Sequence, residues 1–430
     1  MDGFSADPQV VWSTSKLFDL VSFRGTISSA GVFASSHANA SIRRGDTQIG
    51  HQHVVLRRMD DPEFEFRMSG LGAACHRYDD SGKTKVTQEY VQNYLRTGIL
   101  PANAAILCVA DAASSFEWSP NGRYLATGSG NPDYALRIFD STKPDSIFTF
   151  VRHATWIYYL YWSAKGTYLV SSSHVPDPRM LIWKCEWEET ENEQLLKDIS
   201  LIHEVTDFLP HPKFHYDRLS AKWRGFYGYK RGAISPDEKL IAVNASMRNS
   251  SDYLVVYRLP ELQEIYRQKL RYDDVNRTIP SHLVDAESQV TGIDWTRDGS
   301  SLFFCQEGAL YSLSLSEAEN GSDVRLRFIS GDECVSNPKY DLIAVGQGYY
   351  FNRSDLPGKY VENLEFIGGR IQILRLPDLE AISEFVAPSG IVGMRWSCDG
   401  TRLWCTCRDG TAVEATLDLT AKTESEFRQQ

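Results

Sequence analysis

One recurring pair of residues constrains this chain of 430 residues more than any other feature. Four tryptophans each stand seven residues before a leucine, and a polar turn of Ser, Pro, Asp, Asn and Gly residues separates the two. The pairs are Trp118 and Leu125, Trp162 and Leu169, Trp295 and Leu302, and Trp396 and Leu403. Because apolar, strand-like runs flank each turn, the template predicts two strands joined by a tight turn.

Two further copies, at 232–245 and 334–347, keep the template without the tryptophan. A third strand-like run follows each copy, and a fourth follows that run. Near-identical pentapeptides join these runs in two copies: "RLPEL" at 258–262 and "RLPDL" at 375–379, in which proline ends the third strand. Four short strands per unit, repeated at about 40 residues, predict the blades of a β-propeller.

We therefore predict an all-β fold, a single propeller domain over residues 1–430 with seven four-stranded blades. Residues 115–418 supply six blades, and residues 17–70 supply a fainter first blade, with strands at "LFDLVSF", "GVFASSH", "HVVLRRM" and "FEFRM". The segment "QVVWS" at 9–13 is predicted to complete the last blade, which would hide an open sheet edge.

Several segments depart from the blade pattern. Residues 71–114 are predicted as an insertion with a short helix that begins at Thr87 and ends at Gly98. Residues 419–430 are predicted to be a C-terminal tail. Wide intervals between template copies predict three elaborated loops. The loops are 186–231, about 268–288 and about 346–369. Loops on a rigid scaffold commonly carry binding residues.

Residues 153–184, "HATWIYYLYWSAKGTYLVSSSHVPDPRMLIWK", resemble a blade of the WD-repeat family. In that family a histidine lies nine residues before the end of the first strand, as His153 does before Trp162. The resemblance implies a structural tetrad formed by His153, Ser171 or Ser173, Asp177 and Trp183. The chain departs from the family pattern because "WK" replaces the terminal "WD" dipeptide, and Val109, Ala286 and Ala387 replace the histidine in other blades.

A basic and aromatic segment, residues 211–232, stands out from an acidic chain of net charge −11. Arginine and aromatic rings dominate the hot spots of protein interfaces, and the same mixture suits stacked bases and phosphates. The predicted partner-binding residues are Trp156, Arg224, Phe226, Tyr227, Tyr229, Lys230 and Arg231. Two alternatives stay open: the rings belong to blade strands, or the acidic "EWEETENE" at 186–193 neutralises the segment.

These features favour a non-catalytic WD-repeat scaffold that docks a protein partner as a subunit of a multiprotein complex. The partner should present an acidic or phosphorylated segment, because the docking segment is locally positive. The alternatives are a nucleic-acid- or RNA-associated propeller subunit and, less favoured, a propeller hydrolase. The net negative charge argues against general binding of nucleic acid.

No enzyme, metal or cofactor is predicted, since the sequence contains neither a P-loop nor a G-x-S-x-G elbow. His211 and His215 have no third ligand at a suitable spacing, and neither does the group Cys398, Cys405 and Cys407. The cysteines lack a disulfide framework, and the N-terminus lacks the features of a signal peptide. We therefore expect a cytoplasmic or nuclear protein that does not insert into a membrane.

Overall fold

The structure is a computed structural model. It describes residues 8–17, 25–38, 42–44, 47–49, 52–61, 65–68, 75–77, 106–108, 113–129, 134–141, 146–173, 179–191, 193–206, 228–247, 251–270, 290–306, 309–315, 325–331, 333–347, 369–407 and 409–418.

Seven four-stranded antiparallel sheets form the blades, which we number I to VII along the chain. The chain begins with β1 (Gln9–Lys16), and blade I consists of β2 (Gly25–Ile27), β3 (Val32–Ala38), β6 (Gln52–Arg58) and β7 (Glu65–Met68). Two separate two-stranded sheets are inserted, β4 (Ile42–Arg44) with β5 (Thr47–Ile49), and β8 (Cys75–Arg77) with β9 (Ile106–Cys108). Blade II consists of β10 (Ala113–Trp118), β11 (Tyr124–Ser129), β12 (Ala135–Asp140) and β13 (Ser146–Val151), and blade III of β14 (Ile157–Trp162), β15 (Tyr168–Ser173), β16 (Met180–Glu189) and β17 (Gln194–Val205).

The strands of the second half follow the same order. They are β18 (Gly228–Ile234), β19 (Leu240–Met247), β20 (Ser251–Arg258) and β21 (Gln263–Lys269) in blade IV; β22 (Val290–Trp295), β23 (Ser301–Gln306), β24 (Ala309–Ser314) and β25 (Arg325–Ser330) in blade V; β26 (Glu333–Ser336), β27 (Leu342–Gln347), β28 (Arg370–Arg375) and β29 (Glu380–Val386) in blade VI; and β30 (Ile391–Trp396), β31 (Arg402–Cys407) and β32 (Thr411–Asp418) in blade VII. The predicted all-β propeller with seven four-stranded blades is confirmed.

The tryptophan template marks the inner strand of a blade. Each template tryptophan is the last residue of its inner strand and lies directly opposite the leucine seven residues later, as in the pair Trp118 and Leu125. The first strands of successive blades contact each other in order, and β30 contacts β2. The inner strands therefore form a closed ring.

Indole hydrogen bonds tie several neighbouring blades together. Each donor is a template tryptophan, and each acceptor is the carbonyl that precedes the template position in the preceding blade. The bonds run from Trp162 Nε1 to Glu117 O (3.3 Å), from Trp295 Nε1 to Ala233 O (2.9 Å) and from Trp396 Nε1 to Val335 O (3.2 Å). Equivalent positions thus lie side by side, and neighbouring inner strands run in the same direction.

The N-terminal strand closes the ring, as the sequence predicted. β1 pairs with β32 from Gln9 opposite Asp418 to Lys16 opposite Thr411, and so becomes the outer strand of blade VII. Trp12 also reaches blade VI, where its indole donates to Ser383 Oγ (2.9 Å) and its ring stacks on Phe385.

The two pentapeptides form the same turn between third and fourth strands. The Leu259–Pro260 and Leu376–Pro377 peptide bonds are both cis, and Leu262 and Leu379 have positive φ values of 57° and 60°. The repeat is therefore a duplicated structural joint. Apolar clusters fill the spaces between blades; one joins Ile182 of blade III to Ile241 of blade IV.

One predicted segment lies mostly outside the described residues, and another needs correction. The described inner strand of blade I is Gly25–Ile27; of the predicted strand "LFDLVSF" only Leu17 is described, and its amide donates to Gly410 O. The predicted loop 186–231 is largely strand up to Val205, since β16 and β17 form a long hairpin. The predicted helix between Thr87 and Gly98 and most of the other two elaborated loops lie outside the described residues.

Candidate functional site

The long insertions of the ring share one face. The turns between first and second strands lie together on one face, as shown by the bonds from Ser29 Oγ to Pro120 O (2.7 Å) and from Asn337 Nδ2 to Gly400 O (2.8 Å). We call this the turn face. Connections between second and third strands, and from blade to blade, leave from the opposite face, which we call the insertion face.

The five longest stretches between consecutive blade strands all leave from the insertion face. They are 39–51, 69–112, 206–227, 270–289 and 348–369. Strand β5 of the first stretch contacts β9 of the second, so these two insertions meet. The longest connections of the ring therefore all leave from one face.

The basic and aromatic segment lies within the connection from blade III to blade IV and continues into β18. Arg224, Phe226 and Tyr227 lie outside the described residues. Tyr229 and Lys230 are on the inner strand β18, and their side chains are outside the described part. The segment therefore begins in an insertion-face connection, which lies outside the described residues, and ends on the inner strand β18.

Arg231 is already engaged within the ring. Its Nη1 atom lies 2.5 Å from Glu333 Oε2 on the inner strand β26, and the two side chains are 25% and 16% exposed. This ion pair joins blades IV and VI and spans blade V between them. Binding of a partner by Arg231 stays a prediction, and such binding would have to compete with Glu333.

Trp156 lies in the short connection from blade II to blade III, which also belongs to the insertion face. The residue is half-buried, and its ring stacks on Tyr158 with 5.9 Å between centroids. The connection that holds Trp156 precedes blade III and the connection 206–227 follows it, and both leave the blade from the insertion face. This is the arrangement that a shared docking surface requires.

The acidic segment 186–193 lies on the turn face, at the tip of the β16–β17 hairpin. Glu193 pairs with Arg123, and the Tyr124 hydroxyl accepts a hydrogen bond from the Leu196 amide (3.1 Å), so the hairpin is fixed to blade II. The basic segment begins at the other end of β17, which is 12 residues long. At 3.3 Å per residue, this strand extends about 40 Å from the hairpin tip to the insertion face.

Trp187 holds the hairpin in place. Its indole donates to Gly166 O (2.9 Å), and its ring lies against Tyr124 with 5.7 Å between centroids. Gly166 has a φ of +81°, and a Cβ atom there would lie 3.0 Å from the Trp187 ring. Glycine is therefore required on both conformational and steric grounds.

Three of the four predicted tetrad residues form a buried hydrogen-bonded chain. The Trp183 indole donates to Ser171 Oγ (2.9 Å), and the His153 ring lies 2.8 Å from Ser171 Oγ and 3.0 Å from Ser173 Oγ. Burial, with a contribution from Arg179, lowers the pKa of His153 to about 3, so the imidazole is neutral at pH 7. Asp177 lies outside the described residues.

The inner wall of the ring carries charges that the sequence interpretation missed. Arg395 of blade VII pairs with Glu117 of blade II, and burial raises the pKa of Glu117 although Arg395 opposes the effect. Asp294 of blade V accepts hydrogen bonds from the amides of Trp295 (2.9 Å) and Ser336 (2.8 Å). Burial still raises the pKa of Asp294 to about 6.

A local signal did exist for these residues. Glu117, Asp294 and Arg395 each stand immediately before a template tryptophan. Since side chains alternate along a strand, a residue next to a tryptophan that packs into the blade must face the other way. The pairing partners themselves could not be read from the sequence.

The three cysteines of blade VII differ in exposure. Cys398 is exposed, whereas Cys405 and Cys407 are buried, and burial raises the pKa of Cys407 to about 12. Among the described residues, no three His, Cys, Asp or Glu side chains are arranged to hold a metal ion. His211 and His215 lie outside that part. No described helix is long and apolar enough to span a membrane.

Comparison with known proteins places the chain among propellers. The family model "WD domain, G-beta repeat" matches residues 95–140, which include the first three strands of blade II. No curated protein sequence matches. A chain in the "Crystal Structure of Mitotic Checkpoint Complex" has a TM-score of 0.52 and 11% sequence identity, over 97% of this chain and 94% of that chain.

At this identity the structural likeness shows the fold alone. The family match and the seven blades together confirm the resemblance to WD-repeat proteins. Propellers of this kind typically serve as scaffolds for protein interactions. The chain is thus a seven-bladed β-propeller that carries a WD-repeat signature.

Proposed function

We propose that this propeller is a non-catalytic scaffold, a subunit of a multiprotein complex, that docks a protein partner on its insertion face. The observation that carries the proposal is the one-sided arrangement of the ring. The five longest connections leave from one face, and the basic and aromatic segment is part of one of them. Rigid scaffolds that present variable loops on one side are suited to binding.

The partner's contact segment should be acidic or phosphorylated. Residues 211–224 contain Lys213, Arg218, Lys222 and Arg224 against Asp217 alone. The acidic hairpin tip, which could have neutralised them, is fixed to blade II on the turn face. The segment thus carries a local excess of positive charge in an otherwise acidic protein, and guanidinium groups bind carboxylate and phosphate bidentately.

A charge-reversal experiment tests the proposal. The test variant is Lys213→Glu, Lys222→Glu and Arg224→Glu in the full chain. The matched control is Lys165→Glu, Lys239→Glu and Lys339→Glu, which reverses three exposed lysines in turns on the turn face. Tagged proteins are recovered from the native cell, with and without nuclease, and the bound proteins are quantified.

The scaffold proposal predicts a nuclease-resistant protein partner that the test variant loses and the control variant retains. If both variants retain the partner equally, the segment is not part of the docking surface. Both variants should melt like the parent, because exposed charges contribute little to stability.

The nucleic-acid alternative predicts a different outcome in the same experiment. Loss of the bound material on nuclease treatment would favour it, and log affinity for single-stranded RNA would then fall steeply and linearly with log salt. A protein partner should give a shallower dependence of affinity on salt.

The proposed location is the cytoplasm or the nucleus. Five described cysteines are buried free thiols, which suits a reducing compartment. Imaging of a tagged chain tests this location.

A further inference from the structure

The contact between blades I and II lacks a hydrogen bond that other blade contacts possess. Trp118 is fully buried, yet its Nε1–H has no acceptor in the described part of the chain. By analogy with Trp162 and Trp295, the acceptor would be the carbonyl of Thr26, just before the template position Ile27. The contact between blades I and II therefore lacks the indole hydrogen bond that joins blades II and III.

The described contact between these two blades includes a hydrogen bond on the turn face, from Ser29 Oγ of blade I to Pro120 O of blade II (2.7 Å). At the inner strands the indole bond is missing. An unsatisfied buried N–H at the same boundary is costly, which marks this boundary as a weak point.

Blade I also packs closely on blade VII. Ile27 and Phe33 share an apolar cluster with Val392 and Trp404. Gly31 has a φ of +76°, and a Cβ atom there would lie 3.0 Å from the Trp404 ring. Blade I should therefore move with blade VII if the ring parts.

Two direct contacts reach past blade I from blade VII to blade II. The Arg395 guanidinium pairs with the Glu117 carboxylate, and these side chains are 25% and 24% exposed. Cys398 Sγ donates to Pro120 O over 3.6 Å. Because blades VII and II are not neighbours, these contacts brace the boundary at which the tryptophan bond is missing.

We propose that the ring opens between blades I and II, and that the Arg395–Glu117 ion pair with the Cys398–Pro120 contact is the latch that holds it closed. Opening would separate β10 from β2 while blade I stays on blade VII. The chain between the two blades is the long insertion 69–112, so no short connection ties them together. Opening would also break the hydrogen bond from Ser29 Oγ to Pro120 O (2.7 Å).

The ring provides a matched control for the latch. The Arg231–Glu333 pair also joins inner strands of blades separated by one blade, with similarly exposed side chains. It spans blade V, whose Trp295 keeps its hydrogen bond to Ala233 O. Neutralising this pair should therefore not open the ring at blade I.

Hydrogen exchange measured by mass spectrometry on the full chain tests the proposal. In the parent, the amides of β2 and β10 should exchange at least about tenfold faster than those of β18 and β22, because local openings set exchange rates. The double variant Glu117→Gln with Arg395→Met should accelerate exchange in β2 and β10 by at least a further tenfold or so.

The control variant Arg231→Met with Glu333→Gln should leave exchange in β2 and β10 within about twofold of the parent. Alkylation of Cys398 by iodoacetamide gives a second measurement, and should be faster in the latch variant than in the control. Equal exchange at the two boundaries in the parent would overturn the proposal even if the latch variant did not fold. Equal acceleration by both variants would also overturn it.

Discussion

Replacing Trp118 by phenylalanine should cost less stability than replacing Trp295, although both indoles are buried at the same template position. Their side chains are 0% and 2% exposed, and each lies opposite the template leucine. Trp118→Phe and Trp295→Phe remove the same atoms and leave cavities of similar size. The cavity cost therefore largely cancels in the comparison.

The hydrogen-bond contributions do not cancel. Trp295→Phe loses a bond of 2.9 Å to Ala233 O, whose net worth is about 1 kcal/mol. Trp118→Phe removes a buried N–H without a partner, which relieves a cost of about 1–3 kcal/mol. Trp118→Phe should thus be more stable than Trp295→Phe by about 2–4 kcal/mol.

Urea unfolding followed by circular dichroism measures the difference as a shift in midpoint at constant slope. Trp396→Phe is a useful third variant, because its indole donates to Val335 O over 3.2 Å. It should resemble Trp295→Phe. If Trp118→Phe destabilises the protein as much as Trp295→Phe does, the reasoning about the boundary between blades I and II is wrong.

Further predictions concern the tetrad and the closing strand. His153→Ala should lower the unfolding free energy by about 1–3 kcal/mol at pH 7, because it removes two buried hydrogen bonds, to Ser171 and Ser173; an unchanged melting temperature would contradict the network. The folded pKa of His153, about 3, is below the unfolded value of 6.5, so its stabilising effect is present above pH 6.5 and is lost as pH falls towards 3. The stability advantage of the parent over His153→Ala should shrink by about 2 kcal/mol between pH 7 and pH 5, as urea titrations at each pH would show. Deleting residues 1–15 should expose the edge of β32 and cause aggregation detectable by light scattering, and a stable monomer would refute closure by β1.

The fold could be predicted because the template is local. The seven-residue spacing of Trp118 and Leu125 is the spacing of directly opposed residues across one short turn. The closing strand was recognisable because a ring with an open edge is unfavourable. By contrast, the wide interval after Trp162 indicated a loop at 186–231, because the burial of Trp187 and Leu196 against blade II depends on a neighbouring blade and leaves no local pattern.

The ion pairs of the inner wall could not be predicted from the same patterns. Glu117 and Arg395 are separated by 278 positions in the chain and meet only because the ring brings blades VII and II together. The predicted docking residues are divided for a related reason. The basic segment runs from a connection into an inner strand, and composition does not show where the strand begins, so Arg231 was grouped with Arg224.

Cross-linking mass spectrometry of the complex recovered from cells tests the central claim most directly. Lysines on the two faces serve as reporters, with Lys213 and Lys222 in the insertion-face connection, and Lys165, Lys239 and Lys339 in turns on the opposite face. The account predicts cross-links to the partner from Lys213 and Lys222, and none from the turn-face lysines. Cross-links confined to Lys165, Lys239 and Lys339 would contradict it.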